Sequence, residues 1–213
     1  MKPVREFGRL YDYLKDHALR ATETGDLRLV VRDADFAGET FIGGKWQNFR
    51  FVNCLFSASL QTDLRETSGC TFETCEFGAR VEPLYFGTMQ ASLFQYCRFT
   101  DAALGIGPGT VSFYGCEFDN ATRKCTHILG DGTLPLLGCL KSDWRKYLPD
   151  RHIVLRHCTI PYLAGNYFLA ANLVIEGCTI GTLDLRNSRI RNFAVLNTQL
   201  GKIDLSSARV NMA

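Results

Sequence analysis

The chain has no long hydrophobic run. Its N-terminal stretch, MKPVREFGRLYDYLKDH, carries charges throughout and lacks the apolar core of a signal peptide. No segment approaches the ~20 apolar residues that a bilayer-spanning helix needs. We therefore expect a cytoplasmic protein that does not span a membrane, while a signal for a specialised secretion system would not be visible in this pattern.

The chain also has little net charge and few residues suited to catalysis or metal binding. Its 24 Lys and Arg residues nearly balance 22 Asp and Glu residues, and no basic row suggests a nucleic-acid track. Only four histidines are present, and no Cys-X-X-Cys motif occurs among the 213 residues. The sequence therefore predicts no metal, no cofactor and no enzymatic activity.

Cysteine, in contrast, is abundant, and most of the nine cysteines lie in a recurring six-residue motif with large apolar ends. The copies are FVNCLF (51–56), FETCEF (72–77), FQYCRF (94–99), FYGCEF (113–118), LRHCTI (155–160) and IEGCTI (175–180). Successive copies start about 20 residues apart. The 42-residue interval before Leu155 is interpreted as two such units, with a degraded copy, LLGCLK, at 136–141.

A period of five residues underlies the motif. Near the C-terminus it places a large apolar residue at eight successive steps: Ile175, Ile180, Leu185, Ile190, Val195, Leu200, Leu205 and Val210. Neither a helix nor a flat strand repeats every five residues. The period instead indicates an all-β solenoid, in which a coil of about 20 residues has four sides and each side points one large residue inward.

The runs ADFAGETFIGGKWQNFRFVNCLF and IEGCTIGTLDLRNSRIRNFAVLNTQLGKIDLSSARV resemble the pentapeptide-repeat family, over roughly 34–210. The resemblance implies a right-handed quadrilateral β-helix, with a large central residue and a small residue two positions before it pointing inward. Alternate sides here carry a bulky residue at the small position, and the middle coils carry insertions. A less regular right-handed parallel β-helix therefore stays open for 57–172.

The motif cysteines should stack as an inward ladder of reduced packing thiols, because cysteine is a small and readily buried hydrophobe. The expected members are Cys54, Cys75, Cys97, Cys116, Cys158 and Cys178, with Cys139 among them. Ser188, Thr198 and Ala208 fill the same motif position in later copies. Cys70 is expected to be buried, and Cys125 is the thiol expected at the surface.

Two regions are predicted: an N-terminal α-helical cap over 1–28 and the solenoid over 29–213. Residues 3–22 have the apolar spacing of an amphipathic helix that would cover the first coil. A helix that recruits a partner is the alternative. Loop inserts are predicted at 57–69, 78–91, 100–112, 119–135, 141–152 and 161–172, and such inserts often carry binding function in solenoids.

The insert KSDWRKYLPDRH, at 141–152, is the predicted partner-binding site. Between 141 and 157, five basic residues and two acidic ones give a local excess of positive charge, and Trp and Tyr lie among them. The candidate partner-binding residues are Lys141, Trp144, Arg145, Lys146, Tyr147 and Arg151. The alternative is a short solvated helix that closes a coil.

The last coil is the predicted dimer interface. It would present Leu205, Val210 and unpaired strand backbone, and no helix, proline or charged cluster follows in this sequence. Two such ends meeting about a two-fold axis would cover each other. The resemblance points the same way, since gyrase-binding members of the family pair through their C-terminal coils.

The first functional hypothesis is a solenoid that binds another protein in a bacterial cell, as a regulator, a secreted effector or a toxin-neutralising partner. The resemblance implies a second, a mimic of duplex DNA that binds DNA gyrase, although such a mimic needs an acidic surface and this chain is slightly basic. The third is a polysaccharide-active enzyme. Its candidate carboxylates would be Asp131, Asp143 and Asp150, whose spacing marks no catalytic pair.

Overall fold

The computed structural model describes residues 2–3, 29–35, 45–57, 66–78, 84–100, 102–106, 109–119, 150–165 and 168–212. These residues form three parallel β-sheets and contain no helix, so the chain is an all-β parallel β-solenoid. None of the described segments is a helix that could cross a membrane. The helical cap predicted over 1–28 lies outside the described residues, except that Lys2 and Pro3 form a short strand.

The strands are numbered in chain order and divide among three sheets. Sheet A contains β1 (Lys2–Pro3), β3 (Ala34–Asp35), β6 (Leu55–Ser57), β9 (Glu76–Gly78), β12 (Arg98–Thr100), β15 (Glu117–Asp119), β17 (Thr159–Ala164), β19 (Thr179–Asp184) and β21 (Gln199–Asp204). Sheet B contains β2 (Leu29–Arg32), β5 (Phe49–Val52), β8 (Thr71–Glu73), β11 (Leu93–Gln95), β14 (Gly109–Tyr114), β16 (Arg151–Arg156), β18 (Leu169–Glu176), β20 (Arg189–Leu196) and β22 (Arg209–Met212). Sheet C contains β4 (Lys45–Gln47), β7 (Glu66–Ser68), β10 (Leu84–Gln90) and β13 (Ala102–Ile106).

The order of the strands shows two kinds of coil. From β2 to β13 the chain passes through sheets B, A and C in turn, four times over, and each strand pairs in parallel with its counterpart in the neighbouring coil. From β16 onward it alternates between sheets B and A, and the strands lengthen to six or eight residues in β17 to β21. The five-residue spacing and the parallel stacking agree with the pentapeptide-repeat resemblance.

Two columns of phenylalanine rings form the core of the earlier coils. Phe51, Phe72, Phe94 and Phe113 stack face to face with centroids 4.7–5.0 Å apart. A second column contains Phe56, Phe77, Phe99 and Phe118, with centroids 4.6–4.8 Å apart. Rings of the two columns meet edge to face, the arrangement that the ring quadrupole favours. These rings are the apolar ends of the six-residue motif.

The described motif cysteines, each of which lies between the two large apolar residues of its motif along the chain, are buried. Each thiol has two carbonyl acceptors, one two residues earlier and one in the preceding coil: for Cys97 these are the oxygens of Gln95 at 3.4 Å and Phe72 at 3.3 Å. The column continues to Thr198, whose hydroxyl accepts a hydrogen bond from the Cys178 amide. Ser188 and Ala208, expected in this column, belong to another corner, since Ser188 accepts a hydrogen bond from the Phe168 amide.

The prediction of an extra coil at 136–141 is wrong. Strand β14 pairs directly with β16, so that Phe113 lies opposite Leu155, and Glu117 lies opposite Thr159. The amide of Thr159 donates to the carbonyl of Cys116 at 3.0 Å. No coil can lie between these two, and Cys139 therefore cannot sit in the column between Cys116 and Cys158. The span 120–149 is a single insertion between adjacent coils.

The predicted loop inserts also need correction where the structure describes them. The stretches 78–91 and 100–112 contain β10, β13 and the start of β14, which are regular ladder strands. Most of 161–172 is likewise strand, belonging to β17 and β18. In the stretches 78–91 and 100–112 the ladder strands β10 and β13 belong to sheet C, whereas in 161–172 they belong to sheets A and B.

Candidate partner-binding face

The outer face of sheet B presents three parallel rows of side chains along the solenoid. Successive residues of a strand point to opposite faces, and burial alternates accordingly in β14, β16 and β18. Strand register then aligns the outward residues of neighbouring coils. We call this surface the sheet B face, and define it by the three rows described next.

The central row is almost wholly apolar. It runs Leu93, Ser112, Val154, Val174 and Ala194, and each side chain is half-buried. Branched aliphatic side chains pack well on a pleated surface, but nothing in the described chain covers this row completely. Contiguous apolar surface of this kind is a feature of sites that bind other molecules.

The second row, nearer the corner that leads to sheet A, runs Gln95, Tyr114, Arg156, Glu176 and Leu196. Leu196 is 49% exposed. Arg156 donates from Nε to Glu176 Oε2 at 2.8 Å, so the two charges of this row neutralise each other. The row therefore combines an aromatic ring and an aliphatic side chain with no net charge.

Two rings from the adjoining corner extend the second row. Tyr96 is 61% exposed, and its ring meets that of Tyr114 edge to face, with centroids 5.5 Å apart. The Tyr114 ring meets that of His157 in the same manner at 5.4 Å. The three rings, from three successive coils, form a continuous aromatic strip that we call the corner strip.

Backbone conformation and glycine together make room for the corner strip. Tyr96 and His157 have φ near +53°, and Gly115 and Gly177 take the same left-handed conformation in the alternate coils. A Cβ on Gly115 would lie 2.7 Å from the Tyr96 ring, and one on Gly177 would lie 2.6 Å from the His157 ring. Each ring thus lies over a glycine of the next coil.

The third row is polar and forms one chain of hydrogen bonds. Asn192 donates to Asn172 at 2.6 Å, Asn172 contacts Nδ1 of His152, and Nε2 of His152 lies 2.6 Å from Asp150. Both ring nitrogens of His152 therefore have a partner, and neither is free to act as a general base. Within the described residues, no three His, Cys, Asp or Glu side chains are arranged to hold a metal ion.

The outer face of sheet A has a different character. Its row Glu76, Arg98 and Glu117 alternates in sign on adjacent coils. Further along, the same row continues with Thr159, Thr179 and Gln199. A solvated ladder of this kind needs no partner, so the contrast between the two faces singles out sheet B.

Of the residues predicted for partner binding, only Arg151 is described. It begins β16 and is 8% exposed; its guanidinium donates to the carbonyl of Leu169 at 3.3 Å and lies over the Phe168 ring. Burial lowers the pKa of Arg151 below its ordinary value. This side chain offers little surface to a partner. The other five residues, at 141–147, lie outside the described residues, as do Cys125, Asp131 and Asp143.

The sheet B face could not be predicted from local sequence, because its residues are far apart along the chain. Leu93 and Leu196 are separated by more than 100 residues and become parts of one surface only through the coil register. The usable signal was Tyr at the third motif position, FQYCRF, where the neighbouring copies have Thr or Gly. A bulky residue with a positive φ at a tight corner is uncommon, so an exposed ring there indicates a candidate binding position.

The fold defines the chain as a parallel β-solenoid. No family model matches the chain, and no curated protein does. Among solved structures, it is similar to a trypsin-treated form of QnrB1, a plasmid-mediated fluoroquinolone resistance protein. Sequence identity is 15%, the TM-score is 0.27, and the match covers 87% of this chain and 92% of that one.

Proposed function

We propose that this protein is a non-enzymatic solenoid that binds another protein through the sheet B face. The supporting observation is the combination of the apolar central row with the exposed rings of the corner strip. Interfaces typically have an apolar core depleted of charge, enriched in Tyr and Arg, and surrounded by a polar rim. The third row and the Arg156–Glu176 pair would supply that rim.

The size of the face favours a modest contact. Five coils spaced ~4.8 Å apart and three rows spaced ~7 Å apart give a flat area of roughly 500 Å² including the side chains at the edges. A standard stable interface buries about 800 Å² on each partner. The sheet B face alone therefore suits a small or transient contact, and the segment 141–149 would enlarge it if it contributes, as its Trp144 and Tyr147 suggest.

An enzymatic role has less support. Glycosidases need two carboxyl groups, one of which stays protonated. Among the described carboxylates, Glu73 accepts two hydrogen bonds from Arg50 at 2.9 Å, Asp184 accepts from Arg186, and Asp150 lies 2.6 Å from His152. The Arg186 hydrogen bonds lower the pKa of Asp184 and favour its ionised form, the opposite of what a general acid requires.

The DNA-mimic alternative also has little support on the described surface. A mimic of duplex DNA needs rows of unpaired negative charge, whereas acidic residues here alternate with arginines or pair with them, as Glu76 and Glu117 do around Arg98. A gyrase supercoiling assay with and without the protein tests this alternative directly.

The proposal also includes homodimerisation through the last coil. It further includes a reducing, cytoplasmic location, which suits the seven described free thiols.

A site-specific photo-crosslinker tests the proposed face. We would place benzoylphenylalanine at Val174, in the central row, and at Thr179, an exposed residue of sheet A in the same coil. The proposal expects a discrete cross-linked protein partner from native host lysate at Val174 and none at Thr179. Equal yields at both positions, or none at Val174 under conditions that preserve binding to other surfaces, would contradict it.

A further inference from the structure

We propose that the corner strip binds an uncharged, proline-rich segment in the polyproline II conformation. This inference rests on the proposed protein-binding function and names the partner's contacting segment. Aromatic-lined surfaces recognise polyproline II segments through the proline rings, which pack on tyrosine, and the preformed helix loses little entropy on binding. The described residues supply three independent reasons for this assignment.

The first reason is backbone strain at an exposed ring. Tyr96 has φ of +53°, a region that Asn, His and Gly adopt more readily than Tyr does, and His157 has the same φ. The same corner of other coils holds Asn53, Thr74 and Asn197, also with positive φ. Asn would therefore serve the fold at least as well, and a left-handed Tyr costs of the order of 1 kcal/mol. Strain of this kind at a solvent-facing ring points to binding.

The second reason is spacing. Tyr96 and His157 are two coils apart, which is ~9.6 Å along the solenoid axis. A polyproline II helix rises ~3.1 Å per residue and repeats every three residues, or ~9.3 Å. Prolines at i and i+3 would thus meet the Tyr96 and His157 rings in register, with Tyr114 between them. An extended β-strand repeats on one face every ~6.8 Å and does not match this spacing.

The third reason is charge and hydrogen bonding. The arginines bordering the strip are compensated: Arg156 pairs with Glu176 at 2.8 Å, and Arg98 lies 3.8 Å from Asp119. A neutral strip of small area matches a short uncharged segment better than a second folded domain. Polyproline II has no internal hydrogen bonds, and the Tyr hydroxyl groups can donate to its free carbonyls.

The experiment uses the full chain and a fluorescein-labelled peptide, Pro-Pro-Leu-Pro-Pro-Leu-Pro-Pro-Leu-Pro, with a Gly-Ser peptide of equal length as control. Fluorescence anisotropy should show saturable binding of the proline peptide and none of the control. Tyr96→Asn and His157→Asn remove the rings yet suit the left-handed corner, so they should keep the melting temperature. Each should weaken peptide binding at least fivefold, and Tyr96→Phe should retain it within threefold.

The outcomes separate this inference from the proposed function. Absence of saturable binding by the native chain, or equal binding by Tyr96→Asn, overturns the inference. If the Val174 cross-linker still captures a partner in that case, the sheet B face remains a protein-binding surface and only the proline-rich segment is wrong. If the peptide binds and Tyr96→Asn weakens that binding at least fivefold, while Thr179→Ala on sheet A leaves it unchanged, the assignment is supported.

Discussion

The thiol of Cys158 lies 3.6 Å from the carbonyl oxygen of Phe113, although 45 residues separate them along the chain. This hydrogen bond joins two adjacent coils, and the pairing of β14 with β16 extends it over six residues. The segment 120–149 therefore contributes no coil between these two.

Removal of this insertion should leave the solenoid folded. In the preceding coil, the eight residues 101–108 span the corresponding distance between β12 and β14. A seven-residue linker in place of 120–149, followed by Asp150, therefore has sufficient length. We expect an unchanged β-sheet circular dichroism spectrum and a melting temperature within about 4 °C, equivalent to roughly 1 kcal/mol for a chain of this size. If the shortened chain fails to fold, the insertion contributes to the core. Loss of partner binding in a folded variant would support the site predicted at 141–147.

The same insertion shows which features of the fold a sequence period predicts and which it does not. The ladder of Phe51, Phe72 and Phe94 was predictable, because a fixed period reports a repeated inward position. The motif LLGCLK satisfied the same pattern by composition alone, since a period carries no information on which coils are hydrogen-bonded. Register could not be inferred there, and the extra coil was predicted wrongly.

The sheet B face was harder to predict from the sequence than the core was. Tyr114, Val154 and Val174 are ordinary residues of a strand when each is considered in its local sequence. They become a surface only when the coils stack and align every outward residue with its counterpart. The predicted site at 141–152 relied on local charge, which identifies a segment and does not reveal how distant segments combine.

The thiols of the cysteine column should resist modification in the native protein. Cys97, Cys116 and Cys158 are at most 1% exposed, and burial raises the pKa of Cys97 well above its ordinary value. Alkylation by iodoacetamide at pH 8, followed by mass spectrometry, should modify these three only after unfolding, and Cys125 first. Rapid native labelling of Cys116 would contradict this expectation.

Cys116→Leu should lower the free energy of unfolding by ~1–3 kcal/mol, because the larger side chain overpacks the column. Cys116→Ser is similar in size to the native residue, so it separates the effect of overpacking from the loss of the thiol.

Asp184 should make the solenoid sensitive to acid. Its carboxylate is 6% exposed and accepts hydrogen bonds from Arg186 at 2.7 and 2.9 Å and from the Tyr162 hydroxyl at 2.9 Å. The Arg186 hydrogen bonds lower the pKa of Asp184 to about 2, below its ordinary value of 3.8. Because the unfolded chain takes up this proton first, the stabilisation is complete above pH 3.8 and disappears as the pH falls through 2.

Asp184→Asn should therefore lower the free energy of unfolding at pH 7 by about 1–2 kcal/mol, since Arg186 is half-exposed and solvent screens the pair. The difference from the native chain should shrink between pH 4 and pH 2 in urea titrations. Asp204→Asn, the more exposed counterpart in the next coil, should show a smaller difference and serves as the control. A difference that stays constant with pH would mean that Asp184 acts through packing alone.

The far end of the described solenoid exposes apolar surface on its last coil. Strands β21 and β22 are the terminal strands of sheets A and B, so each has one edge without a neighbouring strand among the described residues. Ile203 is 43% exposed, while Leu205 and Val210 are only partly buried against the core. An apolar end with open strand edges favours association with another β-edge.

A dimer through this end is the expected result of that exposure. Two identical coils meeting about a two-fold axis would bury Leu205 and Val210 of both copies, and closed two-fold dimers are the commonest oligomers. Light scattering should give twice the chain mass at tens of micromolar, and Leu205→Lys with Val210→Glu should give a monomer. Lys202→Glu, an exposed change in the same coil, should leave the dimer intact unless the copies meet side by side. A monomeric native chain would refute the dimer and make this end the second candidate for partner docking.

The double variant must also keep its β-sheet spectrum, because charges placed against a half-buried core could unfold the last coil and mimic dissociation. Leu205→Ser with Val210→Ser, which adds no charge, distinguishes these outcomes: it should weaken the dimer while the earlier coils keep their melting transition.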